Sequence, residues 1–175
     1  MVELKIYKKQ EVSLSATFKQ VDKLAKQLLA ELNKPETFKK ITQANLPGTS
    51  SAQIQNAFLP VVTKMGFKNE AKGLFSNYQN KHLRPDYFLD LSNNEGILLE
   101  VERGKTTINN MDLLDFWKCH ICEHANYLFL MVPKELRQNK QMSPRKEFNT
   151  VSARMNSFFL AGNYTNVNGV FLYGY

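Results

Sequence analysis

The chain has 175 residues, enough for one domain with its own core, and its 23 Lys and Arg against 16 Asp and Glu give a net charge of +7. A positive excess favours polyanions, either nucleic acid or an anionic membrane surface, although a basic domain without such a partner has the same balance. No apolar run approaches the ~20 residues of a membrane helix, MVELKIYKKQEVSLS lacks the apolar stretch of a secretory signal, and Cys119 and Cys122 make no disulfide framework. The expectation is therefore a soluble cytoplasmic protein with no membrane partner.

Residues 1–48 read as a helical N-terminal extension and 49–175 as an α/β core, the two forming one compact unit. In SLSATFKQVDKLAKQLLAELN, Phe18, Val21, Leu24, Leu28 and Leu32 recur at helical spacing behind a capping Ser15. NLPGTSS is a loop. SSAQIQNAFLPVVTKMGF is a second helix with a bend expected at Pro60, and GFKNEAKGLF holds a short strand. PDYFLDL and GILLEVER are two strands joined by the turn SNNEG. TTINNMDLLDFWKCHICEHA is a helix capped near Asn109 or Asn110, with Met111, Leu114, Trp117, Ile121 and Ala125 on its apolar face. The continuous apolar run NYLFLMVP suggests a strand buried on both faces. SPRKEFNTVSARMNSFFLA is a helix with Ser143 as cap and Pro144 as first residue, and NVNGVFLYGY is a last strand. From residue 50 the order is helix, three strands, helix, strand, helix, strand, which predicts an α/β (α+β) fold with a mixed central sheet flanked by helices.

The chemistry concentrates in RPDYFLDLSNNEGILLEVERGKT. Its end is not a phosphate-binding loop: such a loop needs a glycine five residues before Gly104, where Leu99 stands, and Glu100 and Glu102 would repel a triphosphate. A regular hairpin centred on Asn94 pairs Asp86 with Glu102 and Phe88 with Glu100. Asp86, Glu100 and Glu102 then share one face, and Tyr87, Leu89, Leu91, Ile97, Leu99 and Val101 share the other. Like charges at such spacing destabilise a sheet unless a cation sits among them. All-oxygen donors suit Mg²⁺ or Mn²⁺, and a divalent ion among them can activate water against a phosphodiester. The other reading pairs the three acids with Arg84, Arg103 or Lys81 on a solvated sheet face.

Pro85-Asp86, thirteen residues, then Glu100-Val101-Glu102 resembles the motif of the PD-(D/E)xK nuclease superfamily, in an E-x-E variant. The resemblance covers about half the chain and implies a restriction-endonuclease-like core. It implies a Mg²⁺- or Mn²⁺-dependent endonuclease acting on DNA, with Asp86, Glu100 and the Val101 carbonyl as metal ligands and a homodimer as the working form. Glu102 occupies the usual lysine position and is expected as a base or a ligand for a second metal. Lys105 is the other candidate for the missing charge, and Glu70 the nearest upstream acid. Lys81, Arg84, Arg103, Arg145 and Lys146 are candidate nucleic-acid contacts. The departure at Glu102 leaves a second reading open: a catalytically inactive nuclease-fold module that binds nucleic acid or a partner protein. Cys119, His120, Cys122 and His124 tempt a zinc assignment, but they lie in a predicted helix without a second ligand pair and are expected to serve the core and the helix surface.

Overall fold

The computed structural model describes the chain except for residues 70–72, 80–82, 93, 105, 138–140 and 142. Among the described residues, the strands form one mixed six-stranded sheet in the order β1-β6-β5-β4-β3-β2. The strands are β1 (Glu3–Lys8), β2 (Lys68–Asn69), β3 (Tyr87–Ser92), β4 (Glu95–Val101), β5 (Tyr127–Val132) and β6 (Gly169–Gly174). Helices α1 (Ala16–Leu32), α2 (Pro35–Ala44) and α3 (Ser51–Lys64) cover one face, and α4 (Met111–Ile121) and α5 (Glu147–Phe158) cover the other. The α/β class and the element order expected from residue 50 are both present. No described helix is long and apolar enough to cross a membrane.

Alternation on the strands builds two cores. Tyr127, Phe129 and Met131 of β5 join Tyr87, Ile97, Leu99 and Val101 beneath α1–α3. Leu128, Leu130 and Val132 join Leu98, Val170 and Leu172 beneath α4 and α5. β5 is parallel to both β4 and β6 and buried along its whole length, which is why its sequence is continuously apolar. Helix α1 begins where Ser15 accepts the Phe18 amide at 3.0 Å. A reciprocal Ser50–Gln53 capping box starts α3, and Pro60 lies within that helix.

The structure departs from the sequence reading at four places. Residues 1–48 are not all helical: β1 pairs antiparallel with β6, so this segment completes the sheet. Helix α5 starts at Glu147 rather than Pro144, because the Arg145 backbone is committed to a bridge with Leu136 (2.9 and 3.0 Å). Helix α4 is turned away from its expected apolar face. Leu114 and Trp117 are 38% and 43% exposed, while Asp112, Asp115, Phe116, Lys118 and Cys119 are buried.

The fourth departure is the β3–β4 register. Tyr87 pairs with Leu99, Phe88 with Leu98 and Leu89 with Ile97. An irregularity between Asp90 and Ser92 tightens the turn, and Asn94 adopts a left-handed φ of 58°. The offset from the expected register is two residues. The face of each strand residue therefore survives while every opposed partner changes.

The tight turn also presses Gly96 against the connection between α4 and β5. A Cβ there would lie 2.5 Å from the His124 carbonyl oxygen and 2.9 Å from that of Leu89. Backbone atoms cannot yield as a side-chain tip can. Gly96→Ala is expected to destabilise the protein by about 1–3 kcal/mol, lowering the melting temperature by several degrees in differential scanning calorimetry.

Candidate functional site

At the carboxyl end of β4 the two strands meet α4. Asp86, just before β3, accepts the Val101 amide at Oδ2 (2.8 Å) and the Gln55 side-chain amide of α3 at Oδ1 (2.9 Å). Its own backbone N–H donates to Glu100 Oε2 at 3.1 Å. Asp86 thus sits across from Glu100, not Glu102. Glu102 continues the chain beyond β4, its amide donating to the Met131 carbonyl (2.8 Å) and its carbonyl accepting the Tyr175 hydroxyl (2.5 Å).

Two residues that sequence reasoning missed complete the cluster. The Lys118 ammonium lies 2.5 Å from Glu100 Oε1 and 2.8 Å from Asp115 Oδ1. Glu100, Asp115 and Lys118 are all buried. The signal was present as Asp112, Asp115 and Lys118, a charged stripe with a period of three on the helix that follows the acidic strand.

Among the described residues, Glu100 and Asp115 share the Lys118 ammonium, and Glu102 and Asp86 lie in the same cleft. Burial, then the charge of Asp115, pushes Glu100 well above the usual carboxylate range against the opposing pull of Lys118. Burial also raises Asp115 against Lys118. Glu102 is pushed up to about 8, by burial and then by the charge and hydrogen bonding of Asp115. Burial disfavours the charged form of Lys118, but Glu100 and Asp115 more than offset it and hold the ammonium above its ordinary range. The cluster therefore retains Lys118 as a cation, while burial favours the protonated form of its carboxyl groups.

These residues line an open cleft of about 600 Å³, with Arg84 and Arg103 also on its walls. The donor set is all oxygen and acidic, which fits a hard divalent cation, and Asp86, Glu100, Val101 and Glu102 all face the cleft. Among the described residues no three His, Cys, Asp or Glu side chains already converge as a ligand set.

The other predicted contacts are distributed unevenly. Arg84 is exposed on the cleft wall. Arg103 is committed to carbonyls before α3, with Nη1 to Thr49 and Nη2 to Leu46 (2.7 Å). Arg145 binds Glu147 Oε1 and the Gly104 carbonyl, both at 2.9 Å. Together with Arg154, which reaches Asp112 at 2.8 Å and the Thr107 carbonyl at 3.5 Å, it ties the β4–α4 connection to α5. Arg103 and Arg145 thus shape the cleft's rim. Lys146 is exposed beside Lys134 and Phe148, in a hollow that shares no residue with the cleft. Glu70, Lys81 and Lys105 lie outside the described residues. Cys119 and Cys122 are buried free thiols, and His120 Nδ1 faces Thr165 Oγ1 at 3.1 Å, which matches the structural role expected of them.

No family model matches the chain, and no curated protein matches it. Among solved structures, the crystal structure of the restriction endonuclease BglII complexed with a DNA 16-mer aligns with 99% of this chain and 77% of that one, at 10% identity and a TM-score of 0.47. A likeness at that level carries no functional conclusion.

Lys118→Met leaves Glu100 and Asp115 buried without this counter-ion and is expected to cost about 3–5 kcal/mol at pH 8. Because the carboxyl groups are raised in the folded state, they bind protons more readily there than in the unfolded chain. The stability tied to those protons is present at low pH and lost as pH rises. The penalty of Lys118→Met should therefore shrink from pH 8 to pH 5, as read by urea denaturation at the two values. An equal penalty at both would contradict carboxyl groups raised by burial.

Proposed function

We propose that the cleft is a metal-dependent phosphodiesterase site and that the protein is an endonuclease hydrolysing DNA. The observation that carries this reading is that Asp86, Glu100, Glu102 and Asp115 line one cleft with Lys118, which pairs with Glu100 and Asp115, in a basic chain. A polyanionic substrate is attracted by the overall charge and repelled locally by the acids, so the cluster needs a divalent cation to admit a phosphate. Asp86, Glu100, the Val101 carbonyl and Glu102 are the groups to hold Mg²⁺ or Mn²⁺. An ion held there would supply positive charge beside the scissile phosphate and would acidify a water.

The chain's own residues supply the rest. Where Glu102 does not hold a metal, its ionised form is suited to take a proton from the attacking water, because a carboxyl group pushed up to about 8 is a stronger base than an ordinary carboxylate. Lys118 steers the Glu100 carboxylate and offers positive charge to the phosphoryl oxygens, the part the resemblance assigns to a lysine in the position of Glu102. Gln55 and the Val101 amide fix Asp86, and the Tyr175 hydroxyl fixes the Glu102 backbone. The water becomes bonded to phosphorus as the ester oxygen leaves, with no covalent enzyme intermediate.

One observation favours the second reading, an inactive nucleic-acid-binding module: Lys118 already supplies a counter-charge to Glu100 and Asp115 without a metal. Plasmid DNA incubated with Mg²⁺ or Mn²⁺ separates the two. The hydrolytic reading expects cutting that EDTA abolishes and that falls at least about 100-fold in Asp86→Ala and in Glu102→Ala. Cutting that survives in Asp86→Ala contradicts the site assignment. DNA binding with neither metal binding nor cutting supports the inactive module.

A further inference from the structure

We propose that the cleft continues into a path for a nucleic-acid strand, with Arg84 and Arg137 holding backbone phosphates on either side of the carboxylates. This rests on the phosphodiester reading of the same cleft and extends it to a residue, Arg137, with no part in the acidic motif.

The arginines divide cleanly. Arg103, Arg145 and Arg154 spend their guanidinium groups on protein carbonyls and carboxylates. Arg84 and Arg137 are exposed, and neither has a hydrogen-bond or ion-pair partner among the described residues. Arg84 leads into β3 and Arg137 follows β5, and these strands are the two neighbours of β4 in the sheet. A smaller hollow of about 190 Å³ ends at Arg137 and shares Thr49, Arg103 and Gly104 with the carboxylate cleft. Its wall is low where Gly48 and Gly104 adopt φ of 87° and 98°, and a Cβ at either would meet no atom within 4 Å. Bare backbone of this kind permits close approach by a ligand.

The scale also fits. Adjacent strands lie ~4.8 Å apart, so β3 and β5 are separated by ~10 Å, a span that a few nucleotides of one DNA strand cover at an axial rise of ~3.4 Å each. A guanidinium binds phosphate through paired N–H donors, and a free one on each side of an acidic centre would set the register of the reacting bond.

The test is the salt dependence of DNA binding without metal. Fluorescence anisotropy with a short labelled duplex in EDTA would be followed for wild type, Arg84→Ala, Arg137→Ala, the double variant and Lys26→Ala. Lys26 lies on α1 outside the cleft and is paired with Asp22. Each single arginine variant should reduce the slope of log affinity against log salt by about 0.9, and the double variant by about twice that. Lys26→Ala should leave it unchanged, and circular dichroism checks folding of these surface variants. An unchanged slope in Arg137→Ala, or no DNA binding by wild type, overturns the path. Plasmid cutting on the same preparations separates this from the hydrolytic reading. Reduced slopes without cutting by wild type support the path and remove hydrolysis, whereas cutting by wild type with unchanged slopes overturns the path alone.

Discussion

The Lys118 ammonium between Glu100 and Asp115 is the contact on which the site depends. It places a full positive charge at the end of a central strand, with carboxylates taken almost entirely out of water. Each such charge costs several kcal/mol to bury unless its partners are in place. The constraint accounts for the orientation of α4: burying Asp115 and Lys118 turns Leu114 and Trp117 outward, against what hydrophobicity alone would choose. It also accounts for the second buried set beside it, where Asp112 and Glu147 are met by Arg154 and Arg145 so that the β4–α4 connection has one arrangement.

The sheet makes this cluster possible by bringing distant sequence together at one end. Parallel β4 and β5 place the Glu102 amide on the Met131 carbonyl, and β3, running antiparallel, returns Asp86 to the same end. Each of the surrounding layers contributes a fixing contact, Gln55 from α3 on one face and Lys118 from α4 on the other. The Tyr175 hydroxyl, just past the end of β6, closes on the Glu102 carbonyl. Charged groups are thereby held by elements whose own positions are set by apolar packing.

Much of the fold was legible because its signals are local. The alternation in GILLEV, the unbroken apolar run of β5 and the Ser15 cap of α1 each specify an element within a few residues. The shared face of Asp86 and Glu100 was legible for the same reason, since the side-chain period of a strand is two and a two-residue register error leaves it unchanged. What escaped was set by partners far along the chain. KIYK in β1 is too polar to declare a strand until β6 lies beside it. The buried face of α4 could not be chosen from its apolar residues, because buried Lys118 and Asp115 are stable only in the presence of Glu100. Arg103 and Arg145 read as surface cations because the carbonyls that claim them belong to loops whose placement no local pattern fixes.

The proposed function stands on the binding of a divalent cation at Asp86 and Glu100. Isothermal titration calorimetry with Mn²⁺ on the wild type, Asp86→Asn and Glu100→Gln tests it most directly. A saturable site is expected in the wild type, weakened at least about 10-fold in both variants. Equal Mn²⁺ binding in all three proteins, or none in the wild type, would contradict it.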